Sequence, residues 1–166
     1  LESPHDIIDA SHAGTAISIS AGIAIDSLKK NNFYTIAIVG DGTMVEGMNF
    51  EGLNFASEKT KNLIIILNDN EMAIDKSVGG FKYLTTGPGW KNKSKNYFNG
   101  MNYDYLAVED GHNIIKITGA LQKAKKSKKT CVVHLKTKKG NGLPFAKTHK
   151  YKMHFSVPFD PKTGKG

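Results

Sequence analysis

Apolar and polar positions along the chain follow two periodicities, one typical of helices and the other of buried strands. Small and apolar residues recur at helical spacing in three segments, so helices are predicted at 14–30, 44–57 and 113–125. Short apolar runs predict strands at 33–39, 62–67, 103–108 and 130–136. Because helices and strands alternate, we predict an α/β fold with a central, mostly parallel sheet flanked by helices. The run at 62–67 is predicted to be central in the sheet, and Phe50, Leu53 and Phe55 are core candidates.

The regular pattern stops between residues 73 and 102, where Gly, Lys, Asn and aromatic residues follow one another without a period. This segment is predicted to be a functional or mobile loop with one short helix near 91–98. The tail at 137–166 shows little periodicity either. Residues 1–166 are expected to form a single domain, and the start at Leu1 rather than Met indicates a piece of a longer polypeptide.

Composition narrows the class of protein. A hydrophobic content of 39% and a charged content of 23% are typical of a soluble globular domain. No apolar run approaches the roughly 20 residues of a membrane span, and no secretory leader is visible. The single cysteine, Cys131, lies in an apolar run and is predicted to be a packed thiol. A cytoplasmic location is expected, or a plastid-like organelle if a transit peptide has been removed.

The net charge of +8 raises the question of nucleic-acid binding. All 23 basic residues are Lys, and Arg, which makes bidentate contacts to bases and phosphates, is absent. Many of these lysines lie in predicted surface helices and loops. Solvated surface charge is therefore favoured over nucleic-acid binding, and a polyanionic cofactor or phosphorylated substrate accounts for part of the excess.

Two short polar signatures each follow an apolar run. Gly40-Asp41-Gly42 comes after the run at 35–39, and Asn68-Asp69-Asn70 comes after the run at 63–67. The carboxyl ends of parallel strands meet at one edge of a sheet, where ligands of open α/β sheets bind. This edge would then offer an anionic oxygen, an amide oxygen and backbone N–H groups. These groups can hold a divalent cation together with a diphosphate.

The chemistry of the two signatures favours Mg2+ over a bare phosphate site. Glycines beside Asp41 allow backbone N–H groups to approach an anion, and the following helix points its positive end there. A carboxylate next to phosphate requires a cation between them, and Mg2+ prefers oxygen ligands. Asp41, the Asn70 amide oxygen and the Met72 carbonyl are the predicted ligands. The alternative is that both signatures are ordinary turns, because each dipeptide alone is common in turns.

The two signatures and several further segments are similar to those of a known protein family. The chain resembles the thiamine-diphosphate enzymes of the transketolase superfamily, and within it the 1-deoxy-D-xylulose-5-phosphate synthase family. Besides the two signatures, the similarity includes Ser77-Val78-Gly79-Gly80 and Asp110-Gly111-His112. It also includes the segments at 11–18, 137–142 and 159–164, which occur in the family's order. The family's segment after Gly80 is longer, so the loop at 73–102 is expected to be a shortened one.

The resemblance assigns roles to individual residues. It implies that Asp41, Asn70 and Met72 hold Mg2+ and that Gly42 and Thr43 donate to the diphosphate. The remaining implied cofactor contacts are His12, which is also the implied catalytic residue, Gly14, Gly40, Ile74 and Lys139. For His12 a helix-capping or core role is the alternative, and for Lys139 a purely solvated one. Ile74 is implied to touch the thiazolium ring, with plain packing as its alternative.

The resemblance also implies a reaction and partners. The intact enzyme would bind thiamine diphosphate and Mg2+ and condense pyruvate with D-glyceraldehyde 3-phosphate, releasing carbon dioxide. The product feeds isoprenoid and thiamine biosynthesis. The pyrimidine-binding domain is not in this chain, so it would be supplied in cis or in trans, within an expected homodimer. Two alternatives remain: a transketolase-like subunit, and a non-catalytic cofactor-binding module that needs a partner chain.

Overall fold

The structure, a computed structural model, describes residues 3–30, 33–149, 153–155 and 157–165. Helices and strands alternate through most of this range. The helices are α1 (Ala16–Lys30), α2 (Gly47–Lys59), α3 (Phe81–Thr85), α4 (Trp90–Gly100) and α5 (Ile114–Ala124), with a 3-10 helix at Pro144–Lys147. The strands are β1 (Thr35–Gly40), β2 (Leu63–Asp69), β3 (Asp104–Val108) and β4 (Cys131–Lys136). The predicted α/β fold is confirmed.

The four strands form one parallel sheet in the order β1-β2-β4-β3. β2 lies inside the sheet, as its unbroken apolar run predicts. The register pairs Gly40 of β1 with Asn68 of β2, and Asp69 of β2 with Lys136 of β4. The ends of three strands therefore lie side by side at the carboxyl edge of the sheet.

Alternate side chains of β2 enter two separate cores. Leu63, Ile65 and Leu67 pack on the face covered by α1, α2, α3 and α4, and Ile64 and Ile66 pack on the face covered by α5. Covering both faces of a parallel sheet explains why the β2 run is continuously apolar instead of alternating.

The helices α1 and α2 pack closely because Gly52 of α2 leaves room for Ser18 and Ile17 of α1. Leu53 is fully buried there, as predicted. The prediction that Phe50 and Phe55 belong to the core is wrong, since they are 37% and 47% exposed. Residues 49, 52, 53 and 56 form the buried stripe of α2, and helical spacing turns the two phenylalanines away from it.

Several predicted boundaries also change. α1 begins at Ala16 and not at residue 14, because Gly14 has a φ of +81°, outside the helical region. α2 begins at Gly47 and not at residue 44. The segment at 73–102 holds two helices where one was predicted; α4 is the predicted one, slightly longer, and α3 was missed. Phe81 of α3 and Phe98 of α4 are buried, so aromatic packing orders this segment.

Cys131 is buried at the start of β4, and burial raises the pKa of its thiol to about 12. The prediction of a packed, unreactive thiol is confirmed. Within the described residues, no helix combines the length and the apolar character that crossing a bilayer requires.

Gly52→Ala is expected to lower the free energy of unfolding by about 1 to 3 kcal/mol. A Cβ on Gly52 would lie 2.7 Å from the Ser18 Oγ and 3.0 Å from the Ser18 backbone nitrogen, so α1 and α2 would have to separate. Urea denaturation measures the change. The control is Gly22→Ala on the exposed side of α1, where nothing lies within 4 Å; better helix propensity should stabilise it by up to about 1 kcal/mol. Equal stability of the two variants would contradict the close packing.

Candidate functional site

The Asp41 carboxylate lies at the carboxyl edge of the sheet, between the ends of β1 and β2. Its backbone N–H donates to the Asn68 carbonyl at 3.2 Å, which continues the β1–β2 pairing past the last strand residue. Its side chain points inward and is 4% exposed as a residue. The Asn70 N–H donates to Asp41 Oδ1 at 3.3 Å, and the Ser77 hydroxyl donates to Oδ2 at 2.7 Å. The two sequence signatures therefore meet at this carboxylate.

The electrostatic surroundings of Asp41 favour a bound cation. Burial raises the pKa of Asp41; the nearby Asp69 adds to this, and the hydrogen bonds from Ser77 and Asn70 oppose it without cancelling it. No Lys or His of the described segments forms an ion pair with Asp41. A buried carboxylate of this kind is costly unless a positive charge joins it. The donor set, a carboxylate with amide and carbonyl oxygens nearby, fits Mg2+.

The turn after β2 brings Asn70 next to Asp41 and continues to Met72. Asn70 Oδ1 accepts a hydrogen bond from the Met72 N–H at 3.1 Å, and Glu71 between them has a φ of +62°. Met72 pairs with Lys76 in an antiparallel bridge, which closes the loop. An amide oxygen has two lone pairs, so Asn70 Oδ1 can keep this bond and still bind a metal.

The turn after β1 lies against this loop. A Cβ on Gly42 would lie 2.7 Å from the Ala73 Cα, so only glycine allows the two turns to approach. The Gly42 N–H has no hydrogen-bond partner among the described residues, which leaves a donor for an anion. Thr43 differs: its N–H and its hydroxyl both donate to the Gly40 carbonyl, at 3.1 and 3.0 Å. A contact from Thr43 to a diphosphate requires one of these bonds to open.

Lys139 lies on the other side of the same loop. Its ammonium group donates a hydrogen bond to the Ala73 carbonyl. Partial burial lowers the pKa of Lys139, and the attraction of Asp41 opposes that effect, so the two groups influence each other. The position of Lys139 suits a cation facing the anionic end of a ligand at Asp41.

The loop after β2 opens onto a depression of about 1000 Å3. Asn70, Met72 and Lys139 line it together with His112, Lys136 and Lys138. A cavity of this size holds a cofactor-sized molecule, and its charged lining is mixed, because Glu71, Glu109 and Asp110 line it as well as the lysines. Ile74 is 55% exposed and does not line this depression.

His12 and Gly14 lie in the loop before α1. His12 is exposed, and its Nδ1 donates to the Ala13 carbonyl at 2.9 Å. It lines a different depression, along the outer face of β1, and has no hydrogen bond to Asp41, Asn70 or Lys139. Gly14 is buried, and a Cβ there would lie 2.8 Å from the Glu46 Cβ. The structure thus joins the two signatures and Lys139, and places His12 apart from them.

The structure contains a buried polar network beneath the turn after β2, which was not predicted from the sequence. His134 Nε2 donates to Asp69 Oδ2 at 2.7 Å, and the Lys136 ammonium donates to the same oxygen at 2.8 Å. Burial alone would raise the pKa of Asp69, but the hydrogen bonds and charges of His134 and Lys136 outweigh it and lower the pKa. The signal in the sequence is a histidine inside an otherwise apolar strand.

Within the described ranges, no group of three or more His, Cys, Asp and Glu side chains lies close enough to hold a metal. The arrangement at Asp41 is of another kind, because it combines one carboxylate with amide and carbonyl oxygens. Such a site depends on a ligand of the cofactor type to supply the remaining oxygens.

Comparison with known proteins identifies relatives that share these features. A family model described as 1-deoxy-D-xylulose-5-phosphate synthase matches residues 1–88. The synthase of Buchnera aphidicola is 40% identical over 159 residues, covering 92% of this chain and 27% of its own length. The synthase of Bacteroides thetaiotaomicron is 35% identical over 204 residues, covering 98% of this chain and 32% of its own length.

Solved structures show the same fold. Transketolase from Campylobacter jejuni matches with a TM-score of 0.62 at 27% identity, over 78% of this chain and 21% of its own. A Pichia stipitis transketolase mutant in complex with xylulose 5-phosphate matches with a TM-score of 0.58 at 25% identity, over 75% of this chain and 19% of its own. The fold is therefore that of the thiamine-diphosphate-dependent transferases.

The chain spans about a third or less of the length of the synthases named above. The match to the family model extends over more than half of the chain and includes both signatures at the sheet edge. The chain belongs to the 1-deoxy-D-xylulose-5-phosphate synthase family.

Proposed function

We propose that this chain is the diphosphate-binding domain of a 1-deoxy-D-xylulose-5-phosphate synthase and binds thiamine diphosphate through Mg2+. The observation that supports this most directly is the buried Asp41 carboxylate, which meets the Asn70 turn and lacks a cationic side-chain partner within the described residues. A metal ion bridging Asp41 to a diphosphate would supply the missing charge.

The ligands of the proposed metal are the Asp41 carboxylate, the Asn70 amide oxygen and the Met72 carbonyl. The free N–H of Gly42 donates to the diphosphate, and Lys139 neutralises part of its charge. These residues hold the charged end of the cofactor and carry no chemistry themselves. Further contacts proposed from the family resemblance are those of Thr43, Gly40, Gly14, Ile74 and His12, with His12 also as the catalytic residue.

Thiamine diphosphate, when bound, supplies the electron sink for removing carbon dioxide from a 2-oxo acid. The activity proposed for the whole enzyme is the decarboxylative condensation of pyruvate with D-glyceraldehyde 3-phosphate. This chain's part is to anchor and orient the cofactor at the sheet edge. The pyrimidine-binding domain is proposed to act in cis or in trans, within a homodimer.

Residues 1–166 are proposed to be one domain of a longer chain, with 73–102 a shortened connection. The alignment to the Bacteroides thetaiotaomicron synthase extends over 204 residues, more than the 166 of this chain, so that relative has additional residues in the aligned region. In this chain α3 and α4 occupy 73–102, so the connection is short and still ordered by its aromatic residues.

Calorimetric titration with thiamine diphosphate, with and without Mg2+, tests the proposed binding. Binding that requires Mg2+ is expected. Equal heats with and without Mg2+, or none at all, would contradict the proposal. Mixing the chain with a pyrimidine-domain fragment then separates the two enzyme classes, because carbon dioxide release from pyruvate indicates a synthase. Use of ketose phosphates as donors without decarboxylation would indicate a transketolase.

Gly42→Ala is expected to weaken Mg2+-dependent binding of thiamine diphosphate roughly 10- to 100-fold, the range seen for residues that hold metal ligands in place. The added Cβ would meet the Ala73 backbone and force the Asn70 loop away from Asp41. The control is Gly119→Ala in α5, where nothing lies within 4 Å of the added Cβ, so a much smaller change is expected. Calorimetry measures both, and equal affinities in the two variants would show that the loops need not touch.

A further inference from the structure

Asp69 lies directly beneath the turn that carries Asn70 and Met72, and its side chain is fully buried. One carboxylate oxygen accepts hydrogen bonds from His134 and Lys136. The other, Oδ1, accepts a hydrogen bond from the Glu71 N–H at 3.0 Å. Glu71 is the residue with a φ of +62°, a conformation that is uncommon without glycine. The Asp69 carboxylate therefore links the core of the sheet to the strained residue of the turn.

The orientation of the His134 ring is fixed from both sides. The Tyr105 hydroxyl lies 2.7 Å from His134 Nδ1, and Asp69 Oδ2 lies 2.7 Å from Nε2, so both ring nitrogens have a hydrogen-bond partner. The Trp90 and His134 rings pack in an edge-to-face arrangement, with 4.8 Å between the ring centroids. Tyr105, His134 and Asp69 thus form a continuous chain of hydrogen bonds.

Lys136 completes the network from the side of the depression. Its ammonium group bonds both Asp69 and Glu71, each at 2.8 Å, and lies 5.1 Å from the centre of the Trp90 ring. It supplies positive charge to the buried Asp69 carboxylate. Lys136 therefore pairs with the carboxylates of both Asp69 and Glu71.

We propose that His134, supported by Tyr105 and Lys136, is a positioning residue for the magnesium site. It holds Asp69 in the orientation in which Oδ1 accepts a hydrogen bond from the Glu71 N–H, and this bond fixes the turn that carries the proposed ligands Asn70 and Met72. This inference rests on the proposed function of the site. Burying polar groups in a strand is more costly than burying apolar ones, and a well-packed apolar side chain would stabilise the strand as well or better. The network is therefore placed for geometry at the turn.

The test compares two substitutions of similar size. His134→Gln keeps an N–H donor that reaches Asp69, whereas His134→Met removes it. His134→Met is expected to weaken the Mg2+ affinity measured in saturating thiamine diphosphate roughly 10- to 100-fold, and His134→Gln to restore most of it. Excess Mg2+ should restore cofactor binding to His134→Met. Calorimetry gives the affinities, and thermal melting shows that each variant is folded at the assay temperature.

A milder pair of variants covers the case in which His134→Met does not fold. Tyr105→Phe removes only the hydroxyl that orients His134, and a severalfold loss of Mg2+ affinity is expected. The control is Tyr103→Phe, which also deletes a buried hydroxyl bond, 2.5 Å to the Leu53 carbonyl, but away from the site. Tyr103→Phe should lower the melting temperature and leave Mg2+ affinity unchanged.

The outcomes separate this inference from the function on which it rests. No Mg2+-dependent binding by the unsubstituted chain overturns the proposed function and the inference together. Binding by the unsubstituted chain with equal affinity in His134→Gln and His134→Met, or in Tyr105→Phe and Tyr103→Phe, overturns the inference alone. Graded losses in the expected order support the positioning role.

Discussion

Asp41→Asn is expected to eliminate Mg2+-dependent binding of thiamine diphosphate and, at the same time, to stabilise the chain without cofactor. The proposed metal loses the one charged ligand proposed from the protein, so affinity should fall at least about 100-fold, or about 2.7 kcal/mol. Burial already disfavours the charge on Asp41 and raises its pKa. An asparagine of the same shape removes that cost, so the free energy of unfolding near neutral pH should rise by about 1 kcal/mol.

The control for this substitution is Asp26→Asn, which removes the same charge from an exposed ion pair with Lys30 on α1. Exposed pairs of this kind contribute little, so neither binding nor stability should change by more than about 0.5 kcal/mol. Calorimetry in Mg2+ and urea denaturation without cofactor measure the two effects. If Asp41→Asn binds like the unsubstituted chain, Asp41 is not a metal ligand. If it is markedly less stable, the carboxylate is structural.

The opposite signs expected for binding and stability follow from how the site is built. A charged side chain that binds an external ligand has no opposite charge beside it until the ligand binds. Asp41 has this character, since its contacts are a hydroxyl and a backbone N–H and not a cation. Asp69, one strand away, is the reverse case, because its charge is compensated by Lys136 within the chain.

Much of the fold could be predicted from the sequence because the buried faces of helices and strands produce recognisable patterns of apolar residues. The continuous apolar run of β2 indicated a strand covered on two faces, and the structure confirms it. The helix α3 shows no such pattern, because its five residues are too few to complete two turns of an amphipathic helix. Phe50 and Phe55 were misplaced for a related reason: their size predicted burial, but their helical angle faces them away from α1.

The candidate site was predictable only in part. Asp41 and Asn70 lie close together because the carboxyl ends of parallel strands meet at one edge of the sheet. This rule applies without knowing the order of the strands in the sheet. The His134–Asp69 contact joins residues that are 65 positions apart, and the Tyr105–His134 contact joins residues 29 apart. These pairings depend on the strand order, with β4 inserted between β2 and β3, which the order of elements in the sequence does not determine.

Asp69→Asn is expected to lower the free energy of unfolding at neutral pH by about 2 to 3 kcal/mol, because it removes charge-assisted bonds from a fully buried group. The pKa of Asp69 is lowered in the folded chain from an ordinary value of 3.8. Its stabilising contribution is therefore fully present above about pH 4 and disappears as the pH falls through the folded-state pKa. The stability difference between the two chains should accordingly narrow in acid.

Urea denaturation at a series of pH values measures this narrowing. Glu71→Gln is the control, since it removes the exposed end of the Lys136 ion pairs and should cost less than about 1 kcal/mol. Asp41→Asn should show the reverse dependence, because its advantage over the unsubstituted chain grows as the pH rises and Asp41 ionises. A constant difference between the unsubstituted chain and Asp69→Asn across the acid range would mean that the Asp69 charge does not stabilise the fold. In that case hydrogen-bond geometry alone, which asparagine partly retains, would account for the network.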